Sequence, residues 1–148
     1  MSFRQINVAI VGAGWVGGIR ANACTGVALV DELHIAEIDP ERGAEVAAET
    51  GAARLTDDWR EFLDDITIDA IIIASTPESS RFSIVHAALE AGKHVMVEKP
   101  IAPTPQEADE AIALAAAGNL KFTIGYTRRF DPKYTYINKA IKEGRIGE

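Results

Sequence analysis

The sequence holds a single cysteine, Cys24, and three scattered histidines, His34, His86 and His94. One thiol closes no internal disulfide, and so sparse a set of soft ligands supports no zinc framework, so no metal site is expected. Positive charge is also in short supply: 15 Lys and Arg against 22 Asp and Glu leave a net charge of −7. An acidic chain without a dense basic run carries no electrostatic footprint for nucleic acid or for an anionic membrane. Long apolar runs are missing too. Runs such as residues 70–74 fall far short of the ~20 needed to span a bilayer. The opening Met-Ser-Phe-Arg-Gln lacks the apolar stretch of a secretory signal, and a cytoplasmic protein is the expectation. What remains is ordinary for a folded chain. It has 148 residues, 47% hydrophobic and 25% charged, which suits one domain and argues against disorder.

Two kinds of segment alternate along the chain. Short β-rich runs occupy residues 6–11, 33–37, 70–74, 94–97 and 122–125. Several are apolar at consecutive positions, the pattern of strands buried on both faces of a parallel sheet. Between them lie Ala-, Glu- and Leu-rich stretches with helix signals, at residues 14–24, 40–49, 57–63, 79–91, 105–117 and 132–143. Asp39 and Thr104 precede Pro40 and Pro105 as N-caps, and Thr56 is placed to cap the short third stretch. Gly92, Gly118 and Gly144 close later helices. Strand alternating with helix predicts α/β architecture: a doubly wound parallel sheet with helices on both faces, linked by right-handed crossovers.

The strongest local signal is Val8-Ala9-Ile10-Val11-Gly12-Ala13-Gly14-Trp15-Val16-Gly17, a G-x-G-x-x-G between a predicted strand and a predicted helix. Gly12 permits a tight turn, Gly14 lets a pyrophosphate approach the backbone, and Gly17 lets helix and strand pack closely. The helix N-terminus then offers free N–H groups to phosphate. An acidic residue, Glu37, follows Gly17 by 20 positions at the end of the next strand. Strand, turn, helix and acid together are the dinucleotide-binding (Rossmann) context. Glu37 can accept from both hydroxyls of an adenosine ribose and would repel a 2′-phosphate, so NAD is expected. Arg42, which could hold that phosphate, leaves NADP open. The candidate cofactor contacts here are Gly12, Gly14, Trp15, Val16, Gly17, Glu37, Ile38 and Arg42.

A second cluster, His94-Val95-Met96-Val97-Glu98-Lys99-Pro100, ends a predicted central strand. Ligands of open α/β sheets bind beyond that edge. Lys99 there could hydrogen-bond a substrate hydroxyl and take part in proton transfer, or be an ordinary solvated lysine; its position in sequence leaves both readings open.

Several segments in order resemble the N-terminal domain of the glucose–fructose oxidoreductase / inositol dehydrogenase / MocA (Gfo/Idh/MocA) family. They are residues 8–17, Ala36-Glu37-Ile38-Asp39-Pro40-Glu41-Arg42, residues 69–77, residues 87–95, Glu98-Lys99-Pro100, and Gly125-Tyr126-Thr127-Arg128-Arg129-Phe130-Asp131-Pro132. The resemblance implies an NAD(P)-dependent oxidoreductase of sugars, cyclitols or related polyols. It implies that Lys99 matches the family's active-site lysine, that Ser75, Thr76 and Pro77 line the nicotinamide side of the cleft, and that Glu98 contacts the cofactor ribose. Arg129 is a further candidate facing cofactor or substrate.

The sequence departs from that pattern twice. Four residues after Pro77, where the family often has His, stands Arg81. The chain also ends about where the family's C-terminal open-sheet domain would begin. Residues 1–127 are therefore expected to form the dinucleotide-binding domain, and 128–148 a linking helix toward that absent substrate domain. Homo-oligomers are expected only where it is present, and this chain alone is expected to turn over little or no polyol. A stand-alone dinucleotide-binding or cofactor-sensing module without catalysis is the alternative. The other candidates read as structural: Cys24 as a small buried thiol, His34 and His86 as packed or solvated, His94 as packed, and Trp59 as a core or rim aromatic. Trp15 either shields the pyrophosphate or packs. Asp57, Asp58, Asp64 and Asp65 read as caps and a solvated face rather than a cation site.

Overall fold

A computed structural model describes residues 4–146; Met1–Phe3 and Gly147–Glu148, on which the readings of the two chain ends bear, lie outside the described residues. Six strands form one parallel sheet: β1 (Ile6–Val11), β2 (Val30–Ala36), β3 (Arg54–Thr56), β4 (Ile68–Ile73), β5 (His94–Val97) and β6 (Phe122–Ile124). Their order across the sheet is β3-β2-β1-β4-β5-β6. Among the described residues there are five α-helices: α1 (Trp15–Thr25), α2 (Pro40–Thr50), α3 (Arg81–Glu90), α4 (Pro105–Ala117) and α5 (Pro132–Lys142). No helix among the described residues is long and apolar enough to cross a membrane.

The consecutive apolar residues of β1 divide between two faces, as its pleat requires. Val8 and Ile10 join Ala21 and Cys24 of α1 and Val46 of α2 in one core. Ala9 and Val11 join Ile84, Val85, Ala88 and Leu89 of α3 and Ala111 and Ala115 of α4 in the other. Burial pushes the Cys24 thiol above its ordinary pKa, which suits an inert core residue. β1 is thus covered on both sides, and the chain's winding reverses beside it, between β1 and β4.

Local chemistry sets most element ends. The Asp39 carboxylate accepts from the N–H of Glu41 and Arg42, and Pro40 follows it. Thr104 and Glu107 form a reciprocal capping box at α4. Gly92 and Gly144 adopt positive φ just past α3 and α5.

Three expectations need correction. The predicted helix over 57–63 is a single 3-10 turn, Trp59–Phe62, capped by Asp58 rather than Thr56. The Thr56 hydroxyl instead accepts from the Asp58 N–H at 3.1 Å, and the short stretch is used up by the turn into β4. The three-residue strand β3 was not predicted, because Arg-Leu-Thr has no apolar run to announce it. The helix expected from residue 79 begins at Arg81, after a 3-10 turn over Glu78–Ser80.

Two buried polar side chains lie outside the carboxyl edge, one before β5 and one within β2. Lys93 donates from Nζ to the carbonyls of Asp65 (2.6 Å) and Ile68 (3.0 Å), and its burial pushes its pKa down. His34 on β2 is buried against Phe62, and neither ring nitrogen has a hydrogen-bond partner. Burial pushes the His34 imidazole below its ordinary pKa, with Arg54 adding to the effect and Glu32 and Asp65 opposing it. The unfolded chain therefore takes up a proton that the folded chain refuses. Stability should be intact above about pH 6.5 and fall as the pH drops toward the folded value. Chemical denaturation between pH 5 and 7 should show that slope, and His34→Leu should flatten it. An unchanged slope would remove His34 as its cause.

Candidate functional site

The ladder bonds run one residue past the strands. Gly12 N–H donates to Ala36 O (2.9 Å), Glu37 N–H to Thr56 O (2.9 Å), Ala74 N–H to Val11 O (2.8 Å), Glu98 N–H to Ile73 O (2.9 Å) and Gly125 N–H to Val97 O (2.8 Å). The residues that end each motif thus stand in one row along the carboxyl edge. Beside the reversal in strand order Gly12, Glu37, Ala74 and Glu98 of this row border a cavity of about 670 Å³.

Of the candidate residues, Gly12, Gly14, Trp15, Val16, Glu37, Ile38, Arg42, Ser75, Thr76, Pro77, Glu98 and Lys99 all line that cavity. Gly17 and Arg129 do not. Gly17 lies behind the turn, and the guanidinium of Arg129 rests over the Tyr126 ring, 5.4 Å from its centroid. Trp15 is 80% exposed, so it does not pack into the core. His94 and His86 are occupied elsewhere: His94 Nδ1 accepts from the Lys121 N–H, and His86 lies between Glu90 and Glu110. Asp58 and Asp65 act within turns, accepting from Arg60 N–H and from Thr67.

The three motif glycines have different reasons to be glycine. Gly12 has φ +86°, and a Cβ there would fall 2.5 Å from Ser75 Cα. A Cβ on Gly17 would fall 1.8 Å from the Gly12 carbonyl oxygen. Around Gly14 no protein atom lies within 4 Å of such a Cβ. Gly14 is the N-cap of α1, no side chain caps that helix, and the open space faces the cavity. The N–H groups of the first turn are therefore available to a ligand.

Charged side chains hold the loops. Glu37 accepts from the N–H of Ala13 at 2.5 Å and of Asp39 at 3.1 Å. Arg42 donates from Nε to the Ala13 carbonyl at 2.9 Å and pairs with Glu45. The N–H and the carbonyl of Ala13 are thereby both fixed, and Arg42 is committed within the fold. Glu98 is buried, and Arg20 of α1 donates to its Oε1. Gly125 leaves room for that carboxylate, since a Cβ there would fall 2.5 Å from Glu98 Oε1. Lys99, the next residue, is exposed at the cavity. The buried Ser75 Oγ, also at the cavity, has no hydrogen-bond partner.

Sequence reasoning missed Arg20, whose partner lies 78 residues away. It also missed the Asp57, Trp59 and Arg60 wall. The pairing of β2 with β3 brings Thr56 beside Glu37, so the residues that follow line the same cavity. Trp59 additionally packs against the main core, with the Arg60 guanidinium over its ring.

A glycine turn, an acid after the second strand and a cleft at the reversal of strand order define a dinucleotide-binding α/β domain. The chain belongs to the oxidoreductase family with the NAD-binding Rossmann fold, whose family description matches residues 6–126. Levoglucosan dehydrogenase of Pseudarthrobacter phenanthrenivorans is 34% identical over 97% of this chain and 39% of its own length. Inositol 2-dehydrogenase 1 of Saccharopolyspora erythraea is 34% identical over 97% of this chain and 43% of its own. The scyllo-inositol dehydrogenase of Lactobacillus casei, solved with NAD(H) and scyllo-inositol, superposes with a TM-score of 0.87 at 31% identity. That match covers 98% of this chain and 43% of the other. The chain thus spans about two fifths of the length of the relatives it matches.

The donor set fits NAD: the open space at Gly14, the free first turn of α1, the Glu37 carboxylate and the unpartnered Ser75 hydroxyl share one cleft. The glycines provide a test. Gly17→Ala should lower unfolding stability by about 2 kcal/mol, because its neighbour is backbone. Gly14→Ala should cost under about 1 kcal/mol, yet weaken NADH binding, read by fluorescence titration. Equal losses of stability from the two would remove the distinction.

Proposed function

We propose that this chain is the NAD-binding part of a dehydrogenase that moves hydride between the nicotinamide and a secondary alcohol of a sugar, cyclitol or related polyol. The observation that carries the reading is the gathering of the glycine turn, Glu37, Ser75 and Lys99 around one cleft at the carboxyl edge. The relatives named above support the substrate class. Residues 1–127 are assigned to the cofactor domain and 128–148 to a linking helix, a division supported by the match over 6–126 and by the largely exposed α5. Beyond the stretch matched here, the relatives have length for a second wall to the cleft. Nothing favours a module without chemistry over this reading, and the exposed Lys99 favours catalysis. The acidic net charge of −7 supports a small-molecule ligand rather than nucleic acid.

When bound, NAD supplies the hydride acceptor at the nicotinamide. Gly12, Gly14, Val16 and the first turn of α1 would hold the pyrophosphate, with Trp15 over it. Glu37 would accept from the adenosine ribose hydroxyls, beside Ile38. Ser75, Thr76 and Pro77 would line the nicotinamide side. Glu98 is neutralised by Arg20, and its role is to stiffen the strand end as well as to border the ribose. Lys99 Nζ would hydrogen-bond the reacting hydroxyl and take part in its proton transfer. Arg129 would need to swing from Tyr126 to reach the ligand.

The charge arrangement favours NAD over NADP. The Glu37 carboxylate is fixed by two N–H groups, and Arg42 is committed to Ala13 and Glu45. NADH should therefore bind at least tenfold more tightly than NADPH, about the effect of one charged hydrogen bond gained or lost. Glu37→Ala should narrow that ratio. Equal affinities in the unaltered chain would refute the assignment. In the full-length enzyme, Lys99→Ala should collapse turnover while leaving NADH binding nearly intact; an undiminished rate would take the proton-transfer role from Lys99.

A further inference from the structure

Arg81 opens α3 beneath the cleft, with its side chain only 7% exposed. Its Nε donates to the Ser75 carbonyl at 2.8 Å, and its Nη1 donates to the Lys99 carbonyl at 2.7 Å. Those acceptors belong to two different loops, one after β4 and one after β5, and both residues line the cavity. No other side chain hydrogen-bonds the backbone of both loops among the described residues.

Stability alone does not explain a cation here. The first turn of a helix carries partial positive charge, so a guanidinium there meets an unfavourable dipole. Burying it costs solvation that only paired acceptors recover. The nearest carboxylate, Glu78, is 3.9 Å away and itself more than half exposed. What the position does supply is geometry. A planar guanidinium reaches two carbonyls at fixed angles, which a single ammonium cannot do. Charge-assisted bonds of this kind are also stronger than neutral ones.

We propose that Arg81 is a positioning residue that fixes the Lys99 loop against the Ser75 loop, setting where the lysine amine meets the substrate hydroxyl. The proposal rests on the assignment of Lys99 and Ser75 to the cofactor cleft. Removing the guanidinium frees both carbonyls, and the two loops then move independently. A lysine at this site keeps the charge but reaches one carbonyl, so it restores one tie and not the other.

The test compares the unaltered chain with Arg81→Met and Arg81→Lys by NMR and by NADH titration. In Arg81→Met the Lys99 amide order parameter should drop from about 0.85 to below about 0.6, the change from rigid to flexible backbone. The Ser75 and Lys99 carbonyl carbon shifts should both move. NADH affinity should fall about tenfold through the freed Ser75 loop, the scale of one lost charged hydrogen bond. Arg81→Lys should keep one carbonyl shift and recover part of the affinity. Should Arg81→Met fail to unfold cooperatively, Arg81→Lys carries the same measurements. A rigid Lys99 and unshifted carbonyls in a folded variant would overturn the proposal, whatever happens to NADH. If the unaltered chain failed to bind NADH, the cofactor reading would fall, and the order parameter would still decide the role of Arg81.

Discussion

Parallel pairing in a common register constrains this molecule more than any other interaction. Parallel ladder bonds are evenly spaced and slanted between strands, so strands that share a register at their carboxyl ends finish together. Here β1, β2, β4, β5 and β6 finish with Gly12, Glu37, Ala74, Glu98 and Gly125, each still donating to its neighbour's last carbonyl. The cleft inherits its alignment from that row. A one-residue slip of β5 would carry Lys99 away from Ser75 and turn Val95 and Val97, both buried, toward the opposite face. The two cores that β1 separates hold the register in place.

On this frame a few charged side chains decide which groups remain available. Glu37 and Arg42 hold the N–H and the carbonyl of Ala13, Arg20 satisfies Glu98, and Arg81 holds two carbonyls. Each pairs a charge with backbone or with its opposite, as burial demands. Among the groups at the cavity without such a tie are the first turn of α1 and Lys99, with the buried Ser75 hydroxyl beside them. Under the proposed function the first would meet the pyrophosphate and the other two the nicotinamide end of the cleft.

The fold class and most of the cleft were legible in the sequence because their signals are local. Consecutive apolar residues mark β1 and β4, Asp-Pro and Thr-Pro mark the starts of α2 and α4, and the glycine spacing marks the turn. The misses share a physical origin as well. β3 has three residues, and its pairing with β2 creates it more than its own propensity does. The turn at Trp59–Phe62 follows from an Asp58 cap and an early exit into β4. Arg20 with Glu98, and Arg81 with Lys99, join residues far apart in sequence, and nothing in either neighbourhood marks the partner. Arg81 was visible as an unusual residue, but what it holds was not.

The glycines show how a structure can separate two causes that a motif merges. In sequence, Gly12, Gly14 and Gly17 are equivalent members of one pattern. In the fold, Gly12 is required by its backbone angle and by Ser75, and Gly17 by the Gly12 carbonyl. Those two would be needed in any protein with this turn, whether or not it bound a ligand. Gly14 has no such neighbour, and a side chain there would stand in open cleft. No neighbouring protein atom requires its lack of a side chain, and under the proposed function a ligand group approaching the backbone would account for it. That open position, together with an α1 that lacks a side-chain cap, is the part of the motif on which the proposed phosphate contact rests, whereas Gly12 and Gly17 answer to packing.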